Sequence, residues 1–462
     1  MRTELEARPL LVLFAGLVAG LTTPLSAWGA LGFVALVVWM RPWEAKRLLA
    51  LAGAVGLVLA PRTMPVPVLE RVYFEGDVEV ATVPRLFPDG TACEVVAGAD
   101  RYALWLNGAP ALSLGDRLSV RGVVRPLPDG SDAYWGGRGV RGRLQTSTWR
   151  RAETRGGLFA WGVAWRQAFV SLCASTLEPR AATVVDAVCF NVDGALDMDT
   201  REALQRSGTT HIVSASGLHV LIFALFLQAL LVALPVPRWA QMALLALVLV
   251  LYAAATGFRP PVVRAVAMAS VFAVAYGLRR EPDALSALAC AGAVYLVASP
   301  RSVLDVGFQL SFATVAGLAL FMRARAPAKG LWGKGRGAVA DVARGSLVAT
   351  LVSGPLVAQT FGILSLASIP ANVLIAFALP PLMGGAMVAM GVSGVAPALA
   401  QGIMLVVVQP LAGWLLWVVE TVGAWPASAV EVPPIATGWL VAYYLCWAAV
   451  WRKVPRPPVV AP

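Results

Sequence analysis

Residues 239–256 read WAQMALLALVLVLYAAAT, a stretch without one charged side chain. About 20 apolar residues of helix cross the hydrocarbon core of a bilayer, so this stretch reads as a membrane span. Working outward, similar apolar runs occur at 211–234, 261–277, 284–298, 306–322, 338–360, 362–395, 402–419 and 435–451. Three more lie at 9–24, 28–40 and 48–60. The whole chain of 462 residues is 58% apolar and only 14% charged, with a mean hydropathy of +0.72. About a quarter of a soluble domain is charged. A soluble globular enzyme would have to leave much of this surface in water, and a disordered chain would not carry it. The expected fold is a polytopic α-helical membrane protein with roughly 11–13 membrane segments. The run at 9–24 has the form of a signal peptide, but the two runs close behind it argue for a retained bundle.

The character changes at 61–155, which is rich in charge, Gly and Pro. Strand-like pieces stand at 72–83, 93–96, 102–106, 117–124 and 139–145, with Pro-Asp-Gly turn signals at 88–90 and 128–130. Five short strands predict an inserted small β-rich, OB-like extracytoplasmic barrel. Residues 156–177 read as an amphipathic helix with Leu158, Trp161, Trp165, Phe169 and Leu172 on one stripe and Arg166 and Gln167 off it. Two tryptophans on the stripe suit a helix lying in the membrane interface; packing against the small domain is the other reading. Residues 179–210 are more polar. The expected order is N-terminal membrane helices (1–60), the β domain (61–155), amphipathic or interfacial helices (156–210), a transmembrane bundle (211–452) and a basic tail (453–462).

Lysines and arginines of short loops mark the inner side. Arg41, Lys46 and Arg47, then Arg279 and Arg280, then Arg323, Arg325, Lys329, Lys334 and Arg336, and finally Arg452, Lys453 and Arg456 are placed inside. That threading leaves 61–210 outside and the C-terminus cytoplasmic. It holds only if 362–395, which contains Pro370, Pro380 and Pro381, is broken or re-entrant; an ordinary kinked helix is the alternative.

Candidate chemistry gathers in few places. The five cysteines, Cys93, Cys173, Cys189, Cys290 and Cys446, form no CxxC pair, so neither a zinc knuckle nor a disulfide framework is expected. Both histidines sit in one cluster, His211-Ile-Val-Ser214-Ala-Ser216-Gly217-Leu-His219-Val. Their spacing turns them about 80° apart and about 12 Å along a helix, too far for one ion, and no metal or other cofactor is expected. Ser216-Gly217 resembles the GxSG of rhomboid-type intramembrane proteases, with His219 one turn away, which leaves an intramembrane serine hydrolase as an alternative. Interhelical hydrogen bonding, or polar groups facing a wet interior, is the third reading. Arg264 lies a few residues inside a span, Asp305 opens the helix that carries Gln309, and Asn372 follows Pro370. Asp305 and Arg264 share a depth at which they could pair. In the β domain, Arg117, Arg121 and Arg125 alternate with apolar residues and share one strand face. Residues 117–155 hold nine arginines, including Arg138, Arg141 and Arg143, against three acids, with Tyr134, Trp135 and Trp149 interleaved. A cationic barrel face with aromatics suits single-stranded nucleic acid; a solvated sheet face has the same pattern.

These pieces in this order resemble the ComEC family of DNA-internalisation competence proteins. The resemblance rests on 211–220, on Thr256-Gly257 with Arg264-Ala265 and Met268, on Gly307-Phe308-Gln309-Leu310-Ser311-Phe312, and on Ser368-Ile-Pro370-Ala-Asn372 with Pro380. It implies a multi-pass channel in the bacterial inner membrane that passes single-stranded DNA into the cytoplasm during natural transformation. It further implies an OB-like outer domain, DNA-receptor proteins and a cytosolic ATP-driven translocase as partners; contact with membrane lipid and homo-oligomerisation are also expected. No catalytic residue is expected. His211, Ser214, Ser216, Gly217, His219, Arg264, Asp305, Phe308, Gln309, Ser311 and Asn372 become pore or packing candidates. Many relatives continue into a metallo-β-lactamase-like domain; this sequence holds no HxHxDH and no Walker A motif, so a non-enzymatic channel moved by an external motor is the expected role. A small-molecule or lipid transporter is the remaining alternative.

Overall fold

The computed structural model describes residues 9–22, 43–59, 71–82, 84–87, 90–98, 100–107, 112, 114–127, 135, 138–154, 158–192, 196–214, 217–233, 235–258, 260–277, 283–322, 331–433, 435, 438–440, 442–444 and 446–447. Two helices, α1 (Pro9–Thr22) and α2 (Trp43–Leu59), pack on each other ahead of a β barrel. The barrel strands are β1 (Val72–Val80), β2 (Arg85–Phe87), β3 (Gly90–Ala97), β4 (Asp100–Asn107), β5 (Asp116–Arg125) and β6 (Val140–Thr154). They pair in the order β1-β5-β6-β4-β3-β2, and β1 also pairs with β3, so five strands close a ring and β2 hangs on β3 as an extra hairpin. Strand β6 runs parallel to β4 and antiparallel to β5. This five-stranded closed ring fits the OB architecture.

Alternation builds the barrel core. Leu118, Val120 and Val124 of β5 point inward with Val78, Val80, Val95, Tyr102, Leu104, Leu106 and Leu144. The strand expected at 139–145 runs on to Thr154, longer than one flat strand could stay in register. Two register shifts against β5, at Arg117/Leu118 and Arg121/Gly122, let it bend, as bulges do. The hairpin strand β2, only three residues long, leaves no pattern in the sequence.

Helix α3 (Leu158–Thr176) follows, then α4 (Pro179–Phe190), α5 (Met198–Arg206) and the short α6 (Thr210–Val213). The expected stripe on α3 is corrected. Its buried face carries Gly162, Val163, Arg166, Phe169 and Cys173, while Trp161 is 73% exposed. Trp165 is partly buried and packs edge-to-face on Phe190. Arg166, 6% exposed, donates from Nη1 to the Ala255 carbonyl at 3.1 Å, which satisfies a charge that periodicity assigned to the outside. Gly162 permits this contact, because a Cβ there would lie 2.7 Å from the Ala255 nitrogen.

The apolar helices are α7 (Gly217–Val232), α8 (Arg238–Ala255), α9 (Pro260–Gly277), α10 (Ala284–Ala298), α11 (Val306–Phe321) and α12 (Leu331–Phe361). A 3-10 turn, Pro300–Leu304, joins α10 to α11. The long run at 362–395 is interrupted, as expected. Strand β7 (Ile363–Ser365) precedes α13 (Ser368–Ala376) and α14 (Leu379–Val392), which are bent by 42° at their junction. Helices α15 (Pro397–Ile403) and α16 (Gln409–Gly423) are joined through a π turn, Met404–Val408, and β8 (Ala429–Glu431) pairs with β7. Among the described residues, two helices, 238–255 and 397–423, are long and apolar enough to cross a membrane, or three if the bent pair is one span. Four shorter apolar helices accompany them, against the larger number of segments expected from the sequence. The run at 28–40 and about half of 435–451 lie outside the described residues, as do the orienting arginines Arg41, Arg279, Arg280, Arg323, Arg325, Arg452 and Arg456.

One core joins α3, α4, α7, α8 and the α13–α16 region. Its centre is aromatic: Phe190, Phe223 and Tyr252 are in ring contact, and Tyr252 donates its hydroxyl to the Cys189 carbonyl at 2.7 Å. A second, smaller core gathers Leu17, Leu21, Leu288, Leu296, Phe308 and Phe312 from α1, α10 and α11.

Candidate nucleic-acid interface and buried polar groups

The outer face of the barrel separates the six arginines into different roles. Arg117, Arg121 and Arg125 are exposed on β5, as alternation required. Arg121 ion-pairs with Glu75 of β1 at 2.7 Å, and Arg117 stands in register with Glu79 and Glu153 on the flanking strands. Arg141 pairs with Asp100 at 2.7 Å. Arg138 is bound to Glu94 and lies 3.8 Å from Asp305. Arg117, Arg125 and Arg143 have no ion pair within 4 Å among the described residues, and of these Arg125 and Arg143 are cross-strand neighbours. Two cations side by side repel unless something anionic or π-rich receives them. The Arg143 guanidinium sits 5.1 Å above the ring of Trp105 on β4. That ring lies along Gly90 of β3, where a Cβ would come within 2.9 Å of it.

Trp105 was not among the sequence candidates, although Tyr102, Leu104 and Leu106 point inward and so put Trp105 on the outside. The interleaved Trp149 instead packs against the barrel core, because the register shift in β6 turns it inward, and Tyr134 lies outside the described residues. Arg125, Arg143 and Trp105 therefore make a narrow cationic and aromatic strip across β5, β6 and β4.

The barrel meets the helices at one ion network. Glu94, with a side chain 7% exposed, holds Arg101 at 3.1 Å and also Arg138, which reaches Asp305 at the start of α11. Next to it, the backbone of Gly139 lies against the Arg301 guanidinium in the 3-10 turn. The expected direct pair of Arg264 with Asp305 is replaced. Asp305 Oδ1 accepts the Phe308 N–H at 2.7 Å as the N-cap of α11, and its other oxygen faces Arg138. A carboxylate at a helix N-terminus is held by backbone N–H groups, which fixes its direction. Arg264, 1% exposed, donates from Nη2 to the Gly307 carbonyl at 2.8 Å.

The other pore candidates fall into separate groups. Phe308 is buried and stacks on Phe312 at 4.2 Å, beside Arg264. Gln309 donates to the Val303 carbonyl at 3.0 Å, and Ser311 is half-buried one turn on from Phe308. Gly217 begins α7 and lies against Ala265, the neighbour of Arg264. His219 is buried near His211 and the Ile212 backbone. Ser214 is exposed at the end of α6, and Ser216 lies outside the described residues. Asn372 stands apart, donating to Ser346 Oγ on α12 at 2.9 Å, with Thr350 and Ser368 in hydrogen-bond contact one turn on.

A buried acid not singled out from the sequence lies on α4. Asp186 lies in a helix whose residues Val184 to Phe190 are all buried, and it is bonded to the Cys173 thiol. Burial pushes its carboxyl up to about 7 from 3.8. The folded protein therefore keeps a proton that the unfolded chain releases near pH 4. Stability is full below that pH, falls as pH rises towards 7, and is level above it, a loss of about 4 kcal/mol at most. Hydrogen exchange of α4 amides, corrected for the intrinsic rate, should be slower at pH 5 than at pH 8. Asp186→Asn should abolish the difference; an unchanged pH dependence in that variant would show that another group is responsible.

The family model described as Competence protein matches residues 188–456, more than half of the chain. The chain belongs to the Competence protein family. This is the ComEC family that the ordered motifs resemble. ComE operon protein 3 of Bacillus subtilis (strain 168) is 28% identical over 209 residues, 45% of this chain and 26% of that relative's length. No solved structure matches. The family match covers α5 to α16, hence His211, Arg264, the Phe308–Ser311 motif and Asn372; the barrel precedes it.

Proposed function

We propose that this Competence-family protein serves DNA uptake as a non-enzymatic, multi-pass protein of the bacterial inner membrane that conducts one strand into the cytoplasm. The strip Arg125–Arg143–Trp105 on the barrel is the observation that carries this reading. A single strand presents a phosphate per nucleotide and a π face per base, and this strip offers one group for each. The barrel and residues up to 210 face outward and collect the strand; the Arg138–Asp305 contact brings the barrel to the entrance of the helices. A charged backbone cannot cross hydrocarbon unaided, so a polar path is required, and the polar groups of α9 and α11 beside the barrel contact, Arg264, Asp305 and Gln309, stand at its start. DNA-receptor proteins deliver the strand, a cytosolic ATP-driven translocase draws it in, and the C-terminus is cytoplasmic.

The full chain in detergent should bind oligodeoxythymidylate with an affinity that falls steeply with salt. Cells lacking the gene, and lacking a paralogue, should leave labelled DNA outside. Salt-independent binding, or normal entry of label in the deletion strain, contradicts the proposal.

A further inference from the structure

Arg264 is held in an unusual box. An arginine stays charged at any physiological pH and carries five N–H donors. Nη2 is satisfied by Gly307, but Nε and Nη1 are buried with no acceptor among the described residues. The carboxylate at hand, Asp305, is committed to the Phe308 N–H and to Arg138. What surrounds the guanidinium is aromatic: Tyr295, Phe308 and Phe312 lie 5.9, 5.4 and 6.0 Å away. These rings belong to one near-parallel stack. Phe14 on Phe312 is at 5.3 Å and 22°, Phe312 on Phe308 at 4.2 Å and 24°, and Phe308 on Tyr295 at 6.0 Å and 18°. Gly292 leaves the room for it, since a Cβ there would collide with Phe14 and lie 2.6 Å from Phe312.

A buried cation with open donors is costly to leave unpaired, and a π face relieves only part of the cost. We propose that Arg264 and the stack Phe14–Phe312–Phe308–Tyr295 form a nucleotide-binding station, closed in this structure, where a phosphodiester takes the open N–H groups and a base joins the rings. The station lies on α1, α9, α10 and α11, next to the point where Arg138 of the barrel meets Asp305. It rests on the reading of the chain as a conductor of a single strand and names the first internal contact of that strand. The guanidinium fork suits a phosphate, and stacked rings suit a base of any sequence.

The test uses the full chain in phosphatidylcholine nanodiscs and a single-stranded oligodeoxynucleotide carrying 5-iododeoxyuridine, whose photochemical crosslinks to aromatic residues are mapped by mass spectrometry. Crosslinks are expected on Trp105 and on Tyr295 or Phe308. Arg264→Met should cut those on the stack by about tenfold or more and leave those on Trp105. It should also keep or raise the melting temperature, since an apolar side chain of similar length removes an unpaired buried charge. Arg264→Lys keeps the charge without the fork and should give an intermediate yield. Crosslinks on Trp105 alone in the natural protein, or an unchanged stack signal in Arg264→Met, overturn the station and leave the conductor reading standing. A fall in melting temperature in both variants assigns Arg264 to folding and overturns it too. No crosslink anywhere, with no salt-dependent binding, overturns both. Adding phosphatidylglycerol should leave the signal unchanged; suppression assigns the site to a lipid phosphate instead.

Discussion

Trp105→Ala is expected to weaken binding of oligodeoxythymidylate by the full chain by about 1–3 kcal/mol, roughly 5- to 150-fold. Gly90 lies against the ring and holds it in place, and a base that stacks on it takes the position of the Arg143 guanidinium, which then turns to a phosphate. Trp105→Leu separates stacking from packing: it fills much of the same volume, and it should lose nearly as much affinity. The two arginines act differently. Removing Arg125 and Arg143 together should lower the slope of log affinity against log salt by about 1.4, because each phosphate contact on a single strand contributes about 0.7. Arg121→Gln should change the slope little, since Glu75 already holds that guanidinium at 2.7 Å. Titration by fluorescence anisotropy at several salt concentrations reads all of these. An unchanged affinity in Trp105→Ala removes the strip from the binding face.

The second large effect concerns the junction. Glu94→Ala strips the shared carboxylate from Arg101 and Arg138 and frees Arg138 from its place beside Asp305. A fully buried pair broken on one side costs about 3–5 kcal/mol; the arginines here reach water, so about 2–3 is expected. The reporter lies next in sequence. Cys93 is buried in the barrel core, and burial together with the Glu94 charge pushes its thiol up to about 12. At pH 8 it should resist alkylation until the barrel opens. A loss of 2–3 kcal/mol in the opening cost raises its labelling rate roughly 30- to 150-fold. Arg101→Gln with Arg138→Gln leaves the Glu94 charge beside the thiol but breaks the same contacts, and should accelerate labelling similarly. Equal labelling of all three proteins would mean that the network carries no barrel stability.

These predictions fall where long-range contacts decide, which is also where periodicity misled. On α3 the tryptophan stripe suggested an interfacial helix, yet the buried side holds Arg166, because the Ala255 carbonyl 89 residues away supplies the partner. Arg264 and Asp305 share a depth, and depth alone suggested a pair; capping of Phe308 and the presence of Arg138 drew Asp305 away. No pattern in 61–155 marks Arg138 as a docking residue rather than a surface cation, since Asp305 is far along the chain.

Some things needed only the order of residues. Inward and outward alternation follows from the two-residue repeat of a strand, so the barrel and the exposed Arg117, Arg121 and Arg125 were legible locally. Apolar length announced the helices, and Pro370, Pro380 and Pro381 announced the interruption at 362–395, because proline removes a backbone donor wherever it stands. The motifs at 211–220, 256–268, 307–312 and 368–380 sufficed for the family. Tertiary structure alone decided which arginines are spent on carboxylates, that Trp105 shares its face with Arg143, and that Arg264 is walled by stacked rings. A backbone repeat is set by bonds between neighbours, whereas the partner of a charge or a ring is set by whatever distant segment the fold brings within a few ångströms.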